Sequence, residues 1–194
     1  MDADFSIELG QDDPVLDFPW KNAAGKLAYV DLKRSPELIA SIEEAKQFPE
    51  LGEFLQVVNS ARSVMESAKC DAWTTTELSA EEEVYGVSHK FASYVDLVLS
   101  RIDGRLSSLE RSLSIHEQFV RKLVELLRRT PETPSAAEVC VRRCYFAEDG
   151  GVREGCYCTL YVSGYGNDEA GARQNWGVGL KLVGNAVVQL SQAG

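Results

Sequence analysis

The stretch "EVCVRRCYFAEDGGVREGCYCTLYVSGYG", residues 138–166, carries four of the chain's five cysteines: Cys140, Cys144, Cys156 and Cys158. Thiolates are zinc ligands or nucleophiles, so the spacing decides what chemistry is open to them. Zinc takes four thiolates at about 2.3 Å, usually from CxxC knuckles whose backbone curls around the ion. Here three residues separate the first pair and one separates the second. In a strand, both spacings put the two sulfurs of a pair on one face. If Gly150 and Gly151 form a two-residue loop, Cys144 lies opposite Tyr157 and the two pairs face opposite ways. If the loop is Asp149 to Gly151, Cys144 lies opposite Cys156 and all four converge. Even then they spread along two strands, too far for one tetrahedron, so no metal site and no cofactor is expected. The reading that fits the spacing best is four small buried apolar side chains. A reactive thiol is the alternative, because Arg142 and Arg143 would lower the pKa of a neighbouring cysteine.

Two histidines are present. "HEQFV" at His116 begins like the zinc-protease helix motif, but Val120 stands where the second histidine is required. His116 falls on an apolar helical stripe and is expected at the edge of the core. His89 sits in a strand-like run beside Tyr85 and Phe91. With Trp73 and Tyr85 it is the candidate for a small-molecule pocket between sheet and helices. "SGYGNDEAG" has the setting of a phosphate loop but lacks its lysine. Asp168 and Glu169 already complement the dipole of the helix that follows, with Asn167 or Asp168 as its cap.

Three helical segments and three pairs of strands must position these residues. "SPELIASIEEAK" starts with Ser35 as cap and Pro36 at the first helical position, and Pro49 interrupts it. A second piece then carries Leu51, Phe54, Leu55, Val58 and Met65 on one stripe. In "SSLERSLSIHEQFVRKLVELLRR", Leu109, Leu113, His116, Val120, Leu123 and Leu127 share a face, and Arg128 and Arg129 complement the helix C-terminus. In "DEAGARQNWGVGLKLVGNAVVQLSQ" the stripe is Ala172, Trp176, Leu180, Val183, Val187 and Leu190. Its glycines at 171, 177, 179 and 184 point to close approach by a neighbour. "DFSIEL" and "KLAYVDL", "KCDAWTTTEL" and "VYGVSHKFASYVDLVLS", and the cysteine hairpin supply the strands. Ser79 with Glu82 is also a capping-box pattern, which leaves residues 80–100 open between strand and helix.

The expected fold is therefore α+β: one domain over residues 1–194, a mostly antiparallel sheet, and helices packed on one face. The order strand–strand–helix recurs three times, giving candidate internal units 4–66, 70–130 and 138–192. "YVDL" at Tyr29–Leu32 and again at Tyr94–Leu97 marks the second strand of two of them.

With 194 residues the chain is long enough for a core of its own, and its formal net charge is −10. That charge repels phosphate backbones, so no nucleic-acid partner is expected. No run approaches the roughly 18 apolar residues of a membrane helix, so no membrane partner is expected either. The opening "MDADFSIELG" shows no basic region followed by an apolar run, and with an odd cysteine count a reducing, cytoplasmic setting is expected. The function expected first is an acidic, non-catalytic binding module that holds a protein partner, or a second copy of itself, through a sheet face or edge. A small-molecule site or enzyme at Trp73, Tyr85 and His89 is the alternative, and a thiol or zinc site on the hairpin the third. The Glu81–Glu83 run would be a solvated hairpin tip or a dock for a basic partner.

Overall fold

The computed structural model of the protein describes residues 1–79, 82, 86–100, 108–148 and 151–192. In chain order these form β1 (Asp2–Glu8), β2 (Val15–Phe18), a 3-10 helix (Pro36–Ser41), α1 (Glu43–Gln47), α2 (Pro49–Val58), β3 (Met65–Thr75), β4 (His89–Leu99), α3 (Leu109–Arg128), β5 (Ser135–Glu148), β6 (Gly151–Gly166) and α4 (Glu169–Gln192). The six strands make one sheet in the order β1-β5-β6-β4-β3, with β2 also paired to β5 beyond β1. The β3–β4, β4–β6 and β5–β6 ladders are antiparallel, whereas β1 and β2 both run parallel to β5. The class is α+β with a mixed, mostly antiparallel sheet.

Strand–strand–helix order does recur, but the second strand of the first set is Val15–Phe18 and not "KLAYVDL". Within 26–32 a single bridge, Lys21 to Ala28, is the only pairing. Its alternating apolar residues instead bury Leu32 and pack Tyr29 on Phe18, ring centroids 4.6 Å apart. "YVDL" is therefore loop at 29–32 and strand at 94–97. The first predicted helix is also broken. Ser35 makes no side-chain cap, and Ile42 is extended between the 3-10 helix and α1. Met65 opens β3 and does not continue the α2 stripe. The helix ends at Val58, after which the Asn59 amide donates to Leu55 O and Ser67 Oγ and accepts from the Ser67 N–H, turning the chain into the strand.

Two apolar clusters flank the sheet. The larger takes Phe91, Val95 and Leu97 from β4, Cys156, Cys158, Leu160 and Val162 from β6, and the stripes of α2, α3 and α4. Alternate residues on the same strands turn the other way, as the two-residue strand period demands. There, Leu16, Phe18, Ala68, Val98, Cys144, Phe146 and Tyr157 form a smaller cluster, with Trp20 and Tyr29 packed on it. The Trp20 indole N–H donates to Ala68 O on β3. The segment from β2 to Tyr29 thus reaches from β5 across to the opposite sheet edge.

α4 lies against β6 because two strand positions lack side chains. A Cβ on Gly164 would stand 2.0 Å from Trp176 N, and one on Gly166 would stand 2.4 Å from Ala172 N. The helix glycines are less constrained: at Gly179 the nearest atom would be a Val162 methyl at 3.0 Å, and at Gly184 a Val57 methyl at 3.3 Å. The close approach read from the helix sequence is real, and its tightest points are on the strand.

Candidate functional site

The hairpin register settles the placement of the cysteines. Glu148 pairs with Gly151 and Cys144 with Gly155, so the connection is residues 149–150, one residue earlier than the Gly150-Gly151 loop. Cys140 lies opposite Thr159 and Cys158 opposite Val141. Cys140 and Cys144 therefore face one side of the sheet, and Cys156 and Cys158 the other. All four are buried. Burial pushes the Cys140 and Cys156 thiols up to about 11, and Cys144 and Cys158 further in the same direction. At neutral pH these are protonated thiols packed as small apolar groups. Among the described residues no three His, Cys, Asp or Glu side chains converge as a metal site would require.

The charge of Arg142 lowers the Cys140 thiol pKa less than burial raises it, and the guanidinium is committed to other partners. It clamps Glu8, with Nε 2.7 Å and Nη2 2.7 Å from Oε2, while Nη1 donates to Thr159 Oγ1 at 3.0 Å and to the Tyr161 hydroxyl at 3.2 Å. The Thr159 hydroxyl in turn donates a hydrogen bond to Asp96 Oδ1 at 2.7 Å. This chain of contacts joins β1, β5, β6 and β4 in the middle of the sheet face that carries Leu16 and Phe18. Desolvation raises the pKa of the buried Asp96 carboxyl, against the bond from Thr159 and the charges of Lys69 and Arg142.

His116 is fully buried and does not sit at the core edge. Its Nδ1 lies 2.7 Å from Ser112 O, and because a carbonyl only accepts, Nδ1 carries the proton. Nε2 is buried and has no hydrogen-bond partner among the described residues. Desolvation lowers its pKa to about 4.

Of the three candidate pocket residues, Trp73 and His89 are not brought together. Trp73 pairs with Ala92, whereas His89 is three residues earlier on β4 and turns to the opposite face. His89 Nδ1 lies 2.9 Å from the Ser88 hydroxyl. Tyr85 lies outside the described residues. Of the Glu81–Glu83 run only Glu82 is described. The Ser79–Glu82 capping box forms in both directions, at 2.9 and 3.3 Å, and Glu82 also accepts from the Tyr165 hydroxyl at 2.9 Å and pairs with Lys90 at 2.5 Å.

Trp73 instead belongs to an open hollow on the face that carries Arg142. The register stacks rungs across the strands. Asp71, Tyr94, Tyr161, Glu138 and Asp4 form one rung; Trp73, Ala92, Ser163, Ala136 and Asp2 form the next; Thr75, Lys90 and Tyr165 form a third. The middle rung has small side chains on three successive strands, and the rungs on either side have large ones. The result is a cavity of about 580 Å³ floored by Ala92, Ser163 and Ala136. Trp73, 39% exposed, stands on one side, its ring centroid 6.4 Å from that of Tyr94, which is 6.3 Å from Tyr161. Four carboxylates line the cavity (Asp2, Asp4, Glu82 and Glu138) against two cations, Lys90 and Arg128. Both cations are committed, Lys90 to Glu82 and Arg128 to Asp4 at 3.4 Å. Glu138 makes no ion pair among the described residues. The sequence signal for this hollow is the run of Ala and Ser at alternate strand positions in "SAAE", "FASY" and "YVSG", which carries meaning only once the register is known.

Neither a protein-family model, nor a curated protein, nor a solved structure matches this chain. Among the described residues, no helix is long and apolar enough to cross a membrane.

Proposed function

We propose that the chain is a binding module that seats a basic side chain of a protein partner in the hollow on its sheet face. In this reading the helices serve the face that carries the larger apolar cluster, and the opposite face is left for recognition. The observation that carries it is the composition of the hollow: an excess of carboxylates beside the exposed Trp73 ring and the half-buried Tyr161, over a floor of small residues. Aromatic faces and carboxylates together attract a guanidinium or ammonium, by the ring quadrupole and by charge. The acidic surface of a chain of net charge −10 steers a basic partner toward it.

The test is calorimetric titration with a short arginine-containing peptide and its citrulline counterpart at two salt concentrations. Binding of the arginine peptide alone is expected, weakening with salt, and weakening about tenfold or more on Trp73→Ala or Glu138→Gln. Equal binding of the citrulline peptide, or indifference to both substitutions, would remove this reading. The cavity volume also falls within the range of small-molecule sites, roughly 300 to 1,000 Å³. An uncharged small ligand held in the wild type and lost in Trp73→Ala would favour that alternative.

A further inference from the structure

Among the described residues, strand β3 forms one edge of the sheet and pairs only with β4. An unpaired edge presents a row of backbone donors and acceptors, which proteins generally guard. Here the guard is partial. At the start of the strand the Lys33 ammonium donates to Ser63 O and Met65 O, both at 2.7 Å. Asn59 Oδ1 then takes the Ser67 N–H at 3.0 Å, and the Trp20 indole takes Ala68 O. Past the irregularity between Ser67 and Lys69 the guard stops. The Ala72 N–H meets only the carboxylate of its own neighbour Asp71, at 2.8 Å, which marks Ala72 as outward-facing. By the strand period Cys70 and Thr74 turn outward with it.

At the near end of this stretch lies a groove of about 300 Å³ between residues 67–71 of β3, the 27–30 segment and the start of α1. Leu27, Val30, Ile42 and Leu55 supply apolar walls, and Glu43, Glu44 and Asp71 supply charge. The one cation lining it, Lys69, has its ammonium 5.6 Å from the ring centroids of both Trp20 and Tyr94. Tyr94 and Asp71 belong to the rung beside Trp73, so the groove lies one rung from the hollow.

The geometry points to strand addition: the outer edge of β3 from Cys70 to Thr75 receives an extended segment of a basic protein partner. Backbone hydrogen bonds form to Ala72 and Thr74, and an apolar side chain of the segment enters the groove. A second copy of this chain is disfavoured as the occupant. It would bring Glu43, Glu44 and Asp71 against their own copies, and each copy carries a net charge of −10. A segment alternating basic and apolar residues matches both the carboxylates and the apolar walls.

This inference rests on the basic-partner reading above, and the experiment separates the two. The probe is a seven-residue peptide alternating lysine with valine and leucine, alongside the same peptide N-methylated at every second backbone amide. N-methylation keeps charge and side chains but removes donors from one edge. Expected are binding of the unmethylated peptide, slowed hydrogen exchange at the Ala72 and Thr74 amides, and about tenfold or greater loss of affinity on N-methylation. Ala72→Pro, which deletes an outward N–H at a position where an edge strand tolerates proline, is expected to weaken binding similarly while an unchanged thermal melt followed by far-UV circular dichroism reports an intact fold. Equal affinity for both peptides, or protection confined to residues lining the hollow, overturns strand addition and leaves the basic-partner reading in place. No binding of either peptide overturns both.

Discussion

Arg142 and Glu8 are opposite each other in the parallel β1–β5 ladder, and the guanidinium holds the carboxylate by two nitrogens at 2.7 Å. The Glu8 carboxyl sits below its ordinary range, chiefly through the hydrogen bond from Arg142. The two partners are not equivalent. Glu8 contributes one carboxylate, while Arg142 also donates to Thr159 and Tyr161. Arg142→Met is expected to cost about 3 kcal/mol, the range for breaking a buried pair by removing one partner, and Glu8→Gln less. Urea unfolding of the two variants checks this. Equal losses would mean that the bonds to Thr159 and Tyr161 contribute nothing.

Asp96 tests the other end of that network. Its folded pKa is raised, so the protonated form is the one folding favours. The stability it contributes is fully present below the unfolded carboxylate pKa and is lost as pH rises through the folded value. Asparagine keeps the acceptor for Thr159 without the charge. Asp96→Asn is therefore expected to match or exceed the wild type at pH 7, with the advantage shrinking in acid. A loss of more than about 1 kcal/mol at pH 7 would show that Lys69 and Arg142 stabilise the carboxylate more than burial opposes it.

His116 gives the opposite slope. Its pKa is lowered from 6.5 to about 4, so folding favours the neutral ring. The stability it contributes is present above pH 6.5 and is lost as pH falls toward 4, a loss of about 3 kcal/mol across that window. His116→Leu is expected to flatten this part of the pH–stability curve measured by thermal melts. An unchanged acid limb in the variant would place the acid sensitivity elsewhere.

Gly164 fixes how closely α4 approaches the sheet. With a Cβ at 2.0 Å from Trp176 N, Gly164→Ala must push the helix backbone away, at a cost of about 3 kcal/mol or more. Gly177→Ala in α4 meets only the Glu50 side chain, at 3.2 Å, and gains helix propensity. It is expected to stay within about 1 kcal/mol of the wild type. Comparing the two melting curves distinguishes a strand position that sets helix placement from a helix position that does not.

The long elements were legible in the sequence because their periodicity is strong and each has one buried face. The α3 and α4 stripes and the cysteine hairpin follow from spacing. "KLAYVDL" misled because its alternating apolar residues serve a covering segment, whose demand for burial resembles that of a strand. The hairpin pairing was displaced, which a Gly-Gly pair does not specify: the partner of Cys144 moves from Tyr157 to Gly155, while the two cysteine pairs keep the opposite faces that an even loop demands. Trp73 was singled out, but its pairing with His89 failed on strand parity. The partner of Arg142 lies 134 residues away, and an arginine inside "VCVRRCYF" says only that it needs a partner. The hollow was invisible for a related reason: small residues on three strands become a cavity only when aligned.

The parallel pairing of β1 and β2 with β5 has a consequence for synthesis. Of the six strands, β1 and β2 are made first, and among the described residues they have no neighbour in the sheet until residues 135–148 have been made. More than half of the chain must emerge before they can pair, and such distant pairings form slowly. Until then Phe5, Leu16 and Phe18 wait without a sheet to cover, and the carboxylates interspersed among them at Asp2, Asp4, Glu8, Asp12, Asp13 and Asp17 keep that waiting segment from associating with its neighbours.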